Sequence, residues 1–421
     1  MTVPAAMLPL DEALQRMLAG LEALPAEEVP LEEAVGRVLA EPVEAAVTMP
    51  PWDNSAMDGF AVHAADIAAA APEHPVTLRV SGEVAAGQAP VGRVVSGTAM
   101  RVLTGAMLPP GADAVVPVEE TDAAPGVTEL PATVAVLAAS APGQHVRRAG
   151  SDIVAGQPLL RAGTRIRPAT VALLASAGHA RVVVHRRPRA AILSTGDELA
   201  PPGEPLGPGQ IHDSNGLMLV ALARQAGAEA RRLAPAGDTL DAVLDRLSDA
   251  RAWADLVIAS GGVSVGARDV VRLAFEAIGR VDLWRVAVQP GKPLAFGHVD
   301  GVLLFGLPGN PVSSYVTFQL FVRPVLHALE GQADPTRRRI LRARLAEPVT
   351  KAADRRAFLR VSLARDPAAP DGWLARLAGG QGSHVLSALA GADGLAVVLE
   401  GQPGLPAGAE VDVWLTDREE A

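Results

Sequence analysis

Between residues 188 and 330, short apolar runs alternate with stretches of helical periodicity, and no other feature of the chain restricts the fold as much. AAILS (190–194), DLVIAS (255–260), LWRVAV (283–288) and VLLFGL (302–307) are apolar almost throughout, as strands covered on both faces must be. The segments 214–226, 239–250, 268–279 and 311–329 have helical spacing. This pattern predicts a doubly wound α/β domain with those four runs as buried parallel strands.

The remaining sequence has a different texture. Over residues 8–47, Leu10, Leu14 and Met17, and then Leu31, Val35, Val38 and Leu39, recur at helical intervals. The prolines and polar cluster of MPPWDNSAMDGFAV (49–62) break any helix there. Short β runs between Gly/Pro turns over 76–120 predict a small β domain, followed by a surface connection over 121–142. Residues 147–166 read as β structure, and RPATVALLASAGH (167–179) as a helix with Pro168 in its first turn. Beyond 331, RRAFLRVSL, HVLSAL, GLAVVL and EVDVWL predict a terminal β domain of short strands. Four modules follow: 1–47 with 143–187 as a discontinuous elongated helical/β domain, 48–142 as an inserted small β domain, 188–330 as the α/β domain, and 331–421 as the C-terminal β domain.

Composition narrows the function. The chain has 421 residues, 37 basic against 47 acidic, and a net charge of −10, which disfavours a nucleic-acid surface. It contains no cysteine, so disulfides, thiolate nucleophiles and zinc–thiolate sites are excluded. The N-terminus places Asp11 and Glu12 ahead of Arg16, the reverse of a secretory signal, and no apolar run reaches the roughly 18 residues of a membrane span. A cytoplasmic protein without membrane association is expected.

In open α/β sheets ligands bind beyond the carboxyl ends of the strands. The four apolar runs end in STGDEL (194–199), GGVSVGARD (261–269), QPGKP (289–293) and PGNPVSS (308–314), turns suited to holding anions on backbone N–H groups. None matches the dinucleotide or P-loop pattern. Glu198 and Asp269 sit at two strand ends and Asp238 after a third segment. Carboxylates among phosphate-cradling loops suit Mg²⁺, although such acids also cap helices. Lys292, one of only two lysines in the chain, stands in a loop stiffened by Pro290 and Pro293 and is the best candidate for an anion contact.

DNSAMDGFAV (53–62), STGDEL, SGGVSVG (260–266), QPGKP, LPGNPVS (307–313) and GGQGSH (379–384) together resemble, in order and along essentially the whole chain, the signature segments of the molybdopterin molybdenumtransferases. This is the MoeA family, to which the gephyrin E domain is related. The resemblance implies a homodimer whose α/β domain is MogA-like and binds molybdopterin. It also implies an active cleft between that domain and the partner's small β domain. The expected reaction inserts molybdate into adenylyl-molybdopterin and releases AMP with Mg²⁺.

By the same resemblance, Asp58 and Thr104 enter the cleft from the partner, and Glu198, Asp238, Asp269 and Lys292 complete the catalytic set, the three acids serving Mg²⁺. Ser194, Thr195, Gly196, Asp213, Asn215, Gly261, Gly262, Ser264, Gly266, Pro308, Gly309 and Asn310 are expected to bind molybdopterin and its adenylate. Gln289, Lys292, Pro293, Ser313, Arg360 and Ser383 are expected to bind molybdate, with Arg355 and Arg356 competing for the arginine's role. Gln289 stands where many relatives carry lysine. Other proteins of molybdenum-cofactor synthesis are implied as partners. Two alternatives remain open: a molybdopterin adenylyltransferase, and a non-catalytic gephyrin-like scaffold.

Overall fold

The structure is a computed structural model that describes residues 7–126, 129–261, 269–367 and 372–416. Its centre is a six-stranded sheet in the order Glu229–Arg232, Arg189–Ser194, Leu256–Ser260, Val302–Leu307, Pro293–Val299, Arg280–Arg285. The first four strands are parallel. Side chains alternate along each strand. Ala190 and Ile192 therefore pack with helix Ser214–Gln225 and the 311–329 helical run, whereas Ala191 and Leu193 pack with Val243, Leu247, Val271 and Phe275 on the opposite face. Two covered faces explain the unbroken apolar runs.

One feature departs from the expected parallel set. LWRVAV does not form a single buried parallel strand. Arg280–Arg285 is an edge strand antiparallel to Pro293–Val299, which is itself antiparallel to Val302–Leu307. The tight turn at Asp300–Gly301 returns the chain beside itself, and such a hairpin can only pair antiparallel. Val288–Gln289 leaves this sheet altogether and pairs with Arg356–Ala357 of the C-terminal domain.

That domain contains strands Ile340–Leu345, Arg356–Arg365, Trp373–Leu377, Gly394–Val398 and Glu410–Leu415, and pairing of Gly394–Val398 with Arg356–Arg365 closes it into a barrel. HVLSAL, expected as a strand, instead carries the short helix Leu386–Ala390. The helical reading of 31–39 also fails beyond one 3₁₀ turn, Leu31–Glu33. Val29–Pro30 is already committed to pairing with Arg181–Val182, and Gly36 has a positive φ of 77° that ends any helix. Only Leu10–Leu18 is α-helical there, capping the 311–329 run.

The inserted sheet has five strands in the order Ala114–Pro117, Gly59–Val62, Thr98–Val102, Val76–Val84, Thr133–Val136. The last strand lies in the stretch read as a surface connection. Val134 and Val136 are fully buried, and two inward residues are too short a pattern to recognise without their partners.

Candidate functional site

The carboxyl ends of three parallel strands are pinned side by side. Thr195 N–H donates to the Ser260 carbonyl (3.1 Å), and Gly261 N–H to the Leu307 carbonyl (3.2 Å). Gly261 has φ +100°, and a Cβ there would lie 2.8 Å from the Thr195 carbonyl oxygen, so this approach requires glycine. Asn215, in the first turn of helix Ser214–Gln225, donates to Ser260 Oγ (2.8 Å) and the Gly309 carbonyl (2.7 Å). Ser314 Oγ in turn donates to the Pro308 carbonyl. Ser260 and Ser314, unassigned in the sequence reading, are thus the joints of the rim.

Asp213 is buried and fully employed. It accepts from Ser194 Oγ (3.0 Å) and Gly216 N–H (2.9 Å), capping the helix, and pairs with Arg232 (2.8 Å). Around it, Thr195 Oγ1 and Asn215 Oδ1 are buried without hydrogen-bond partners among the described residues. Unmet buried polar atoms are costly, and their concentration at the strand ends marks a surface built for a polar ligand. Gly309 and Asn310 are exposed beside them, and Gly196 lies buried beneath the Glu198 carboxylate. Gly262, Ser264 and Gly266 lie outside the described residues.

The acids differ in setting. Asp269 caps helix Val270–Ile278 through Oδ1, which accepts Arg272 N–H at 3.1 Å, while its buried Oδ2 has no partner among the described residues. Burial pushes its pKa up to about 6, against the opposing pull of the Arg272 N–H. Glu198 and Asp238 are exposed. Asp238 does not cap the next helix; Thr239 does, and Asp238 N–H instead donates to Asp197 Oδ1 (3.1 Å).

A second cluster forms where the α/β sheet meets the barrel. On strand Arg356–Arg365, Ala357, Leu359 and Val361 point into the barrel. Alternation sends Phe358 and Arg360 outward, and Phe358 joins the core shared with the α/β domain. Arg360 is consequently 1% exposed. Its Nη2 donates to the carbonyls of Gly380 (3.0 Å) and Gly382 (3.1 Å), its Nε has no partner, and no carboxylate faces it among the described residues. Burial drives its pKa down, because no described residue compensates the charge. The competing arginines are both paired: Arg355 with Asp354, Arg356 with Asp11 and Glu400.

Arg360, Gln289 and Gln381 line one pocket of about 250 Å³. Gln289 Oε1 is another buried atom without a partner among the described residues. Lys292 and Pro293 follow in the same loop, half-buried, and Lys292 Nζ makes no hydrogen bond or ion pair among the described residues. Ser313 is buried one residue beyond Val312, whose N–H donates to the Ser383 carbonyl (3.1 Å). The six residues of the expected molybdate set come from four segments, 289–293, 313, 360 and 383, and of them Gln289 and Arg360 line this pocket.

Asp58 and Thr104 meet on the five-stranded sheet. Asp58 Oδ1 accepts both the backbone N–H (2.6 Å) and hydroxyl (2.8 Å) of Thr104, which hold the carboxyl below its usual range. Both residues are exposed, as are the apolar neighbours Trp52, Met57 and Leu103.

A doubly wound sheet whose strand ends carry unmet polar atoms, joined to a barrel that holds a buried arginine with no carboxylate partner among the described residues, defines a multidomain α/β protein with a surface suited to a polar ligand. Three family profiles match in chain order: the MoeA N-terminal region (domain I and II) over residues 8–178, a probable molybdopterin-binding domain over 191–328, and the MoeA C-terminal region (domain IV) over 342–416. The molybdopterin molybdenumtransferase 2 of Mycobacterium tuberculosis is 42% identical, over 88% of this chain and 90% of its own. The molybdopterin molybdenumtransferase of Haemophilus influenzae is 39% identical, over 70% of each chain. A crystal structure of a MoeA protein from Pyrococcus horikoshii superposes with a TM-score of 0.81 at 30% identity, covering 97% of this chain and 100% of that one. The chain belongs to the MoeA family of molybdopterin molybdenumtransferases.

Proposed function

We propose that this protein inserts molybdate into adenylyl-molybdopterin and releases AMP and molybdenum cofactor. The observation that carries the reading is Arg360: a guanidinium 1% exposed, facing a small pocket and lacking any carboxylate among the described residues. A buried unpaired cation is expensive to maintain, and a compact dianion such as molybdate would compensate it. Gln289, Lys292 and Ser313 would supply further donors, and Ser383 would close the pocket from the barrel side. No protein nucleophile is needed, because the sulfurs that take the metal belong to the pterin substrate.

The rim would hold the rest of the substrate. Thr195 and Asn215 carry the unmet polar atoms there, and Gly261 and Gly309 permit close approach of phosphate to backbone. Mg²⁺ fits this setting in one respect: Asp269 Oδ2 is a buried carboxylate oxygen with no partner among the described residues, beside the rim. Of the acids expected to serve the ion, Glu198, Asp238 and Asp269, all three do not converge on one point among the described residues, so Asp269 would hold it with at most one of the others. The remaining ligands would be substrate phosphate and water. Bound there, Mg²⁺ would neutralise charge developing on the phosphoanhydride.

The active protein is a homodimer in this reading, with the partner's Asp58 and Thr104 completing the cleft. It acts in the cytoplasm, and other proteins of cofactor synthesis deliver and collect the pterin. The chain divides at the boundaries read from the sequence: 1–47 with 143–187, 48–142, 188–330 and 331–421. Supplying the purified protein with adenylyl-molybdopterin, molybdate and Mg²⁺ tests the function. Release of AMP that depends on molybdate is expected. Consumption of ATP with metal-free molybdopterin instead would make the protein an adenylyltransferase and sink the proposal.

A further inference from the structure

Strand Arg356–Arg365 loses one neighbour just at Arg360. On this edge Val288–Gln289 covers Arg356–Ala357 and pairing with Trp373–Leu377 begins at Val361–Leu377, which leaves a short gap at 358–360 where Ala378 N–H donates to the Arg360 carbonyl (3.0 Å). The carboxamide of Gln381 fills the rest of the gap. Its Oε1 accepts Arg360 N–H (2.9 Å), and its Nε2 donates to the Arg360 carbonyl (3.1 Å) and the Gly379 carbonyl (3.0 Å). Left alone, the Arg360 N–H would be a buried donor without a partner.

We propose that Gln381 is a positioning residue for the oxyanion pocket: it staples the 379–383 loop to the main chain of Arg360 through neutral contacts alone, leaving the guanidinium charge free for an anion. The inference rests on Arg360 being the oxyanion's cationic partner. Every group holding the arginine is uncharged: two peptide carbonyls grip its Nη2, and an amide grips its backbone. A carboxylate at 381 could still accept the Arg360 N–H, but it would lose both donated bonds and place a permanent anion on the wall of the pocket. The same staple sets Ser383, two residues on, against helix Pro311–Thr317 through the Val312 N–H. An aliphatic side chain at 381 would free the loop and let guanidinium and Ser383 drift apart.

The test compares Gln381→Met, Gln381→Glu and Arg360→Met in the full-length protein. Molybdate affinity is measured by equilibrium dialysis, and steady-state kinetics are followed with molybdate and adenylyl-molybdopterin varied separately. Gln381→Met is expected to raise the KM for molybdate about tenfold, the equivalent of ~1.4 kcal/mol. Its KM for adenylyl-molybdopterin should stay unchanged and its kcat should return near the parent value at saturating molybdate. Gln381→Glu should lose more affinity than Gln381→Met. Equal rises in both KM values, a fall in kcat alone, or normal molybdate affinity in Gln381→Glu would overturn the staple. If either variant fails to fold, Gln381→Asn, which keeps the amide but is one methylene short, carries the same expectations at reduced size. Should Arg360→Met bind molybdate normally, the anion pocket itself is wrong; should only the Gln381 variants do so, the staple alone falls.

Discussion

The carbonyl of Ser383 accepts the backbone N–H of Val312 at 3.1 Å, joining a loop of the barrel to the first turn of the helix that leaves the α/β sheet. That N–H is one of the donors a helix start leaves unsatisfied, so the barrel completes the helix as well as the pocket. Gly291 lies next to the same turn, where an added Cβ would be 3.4 Å from the Ser313 carbonyl oxygen. Three segments far apart in sequence thereby form one wall.

Molybdate should stabilise the folded protein through Arg360. At a free concentration of about 100 times Kd, a single site adds about 2.7 kcal/mol to unfolding stability. Thermal melts of the parent should shift upward with molybdate, and those of Arg360→Met should not move. An equal shift in both would place the anion elsewhere.

Gly291→Ala should weaken the pocket and the fold together. Gly291 has φ +106°, and a Cβ there would lie 2.6 Å from Thr317 Cγ2. The strain and the clash should cost about 1–3 kcal/mol, read from urea unfolding, with lower molybdate affinity because Lys292 moves with its loop. Parent-like stability would show that the turn is looser than its geometry.

Asp269 should make stability depend on pH. Folded, it keeps its proton up to about pH 6; unfolded, it releases it near 3.8. Between those values the folded state binds more protons, so the stability contributed by Asp269 falls as pH rises through the window and remains low above it. Asn at this position keeps a cap acceptor without the buried charge. Asp269→Asn should therefore be more stable than the parent at about pH 7, with the gain shrinking toward about pH 4.5. A gain independent of pH would assign the effect to something other than this carboxyl.

A site shared between subunits predicts complementation. Asp58→Ala and Arg360→Met should each be inactive alone. Mixed and reassociated, they form heterodimers in which one of two sites carries neither change, so activity should return to about one quarter of the parent by random pairing. No recovery, with heterodimers demonstrated by affinity tags, would confine each site to one chain.

Much of the architecture was legible because its cause is local. Runs such as Leu256–Ser260 are apolar at every position since both sheet faces are covered, and burial confirms it. Lys292 was legible from its rarity and its proline-stiffened loop, whereas Arg360 could be singled out only through resemblance to a family, since one arginine among many carries no local sign of what it faces. The failures share one origin. Residues 293–299 follow Lys292 with no period that declares an antiparallel hairpin, and residues 384–389 are too short to separate helix from strand. Residues 133–136 became a strand because Val76–Arg79 offered an open edge.

Residue order by itself determined the βα alternation, the glycine- and proline-rich strand ends, and the position of each acid and lysine along the chain, because each depends on neighbours within a few residues. Only the tertiary structure decided that, among the described residues, Arg360 rather than Arg355 or Arg356 stands without a carboxylate, and that Gln381 grips its backbone. Charge compensation and burial depend on what approaches from distant segments, and the strand's alternation converts one step in sequence into opposite faces of a domain junction.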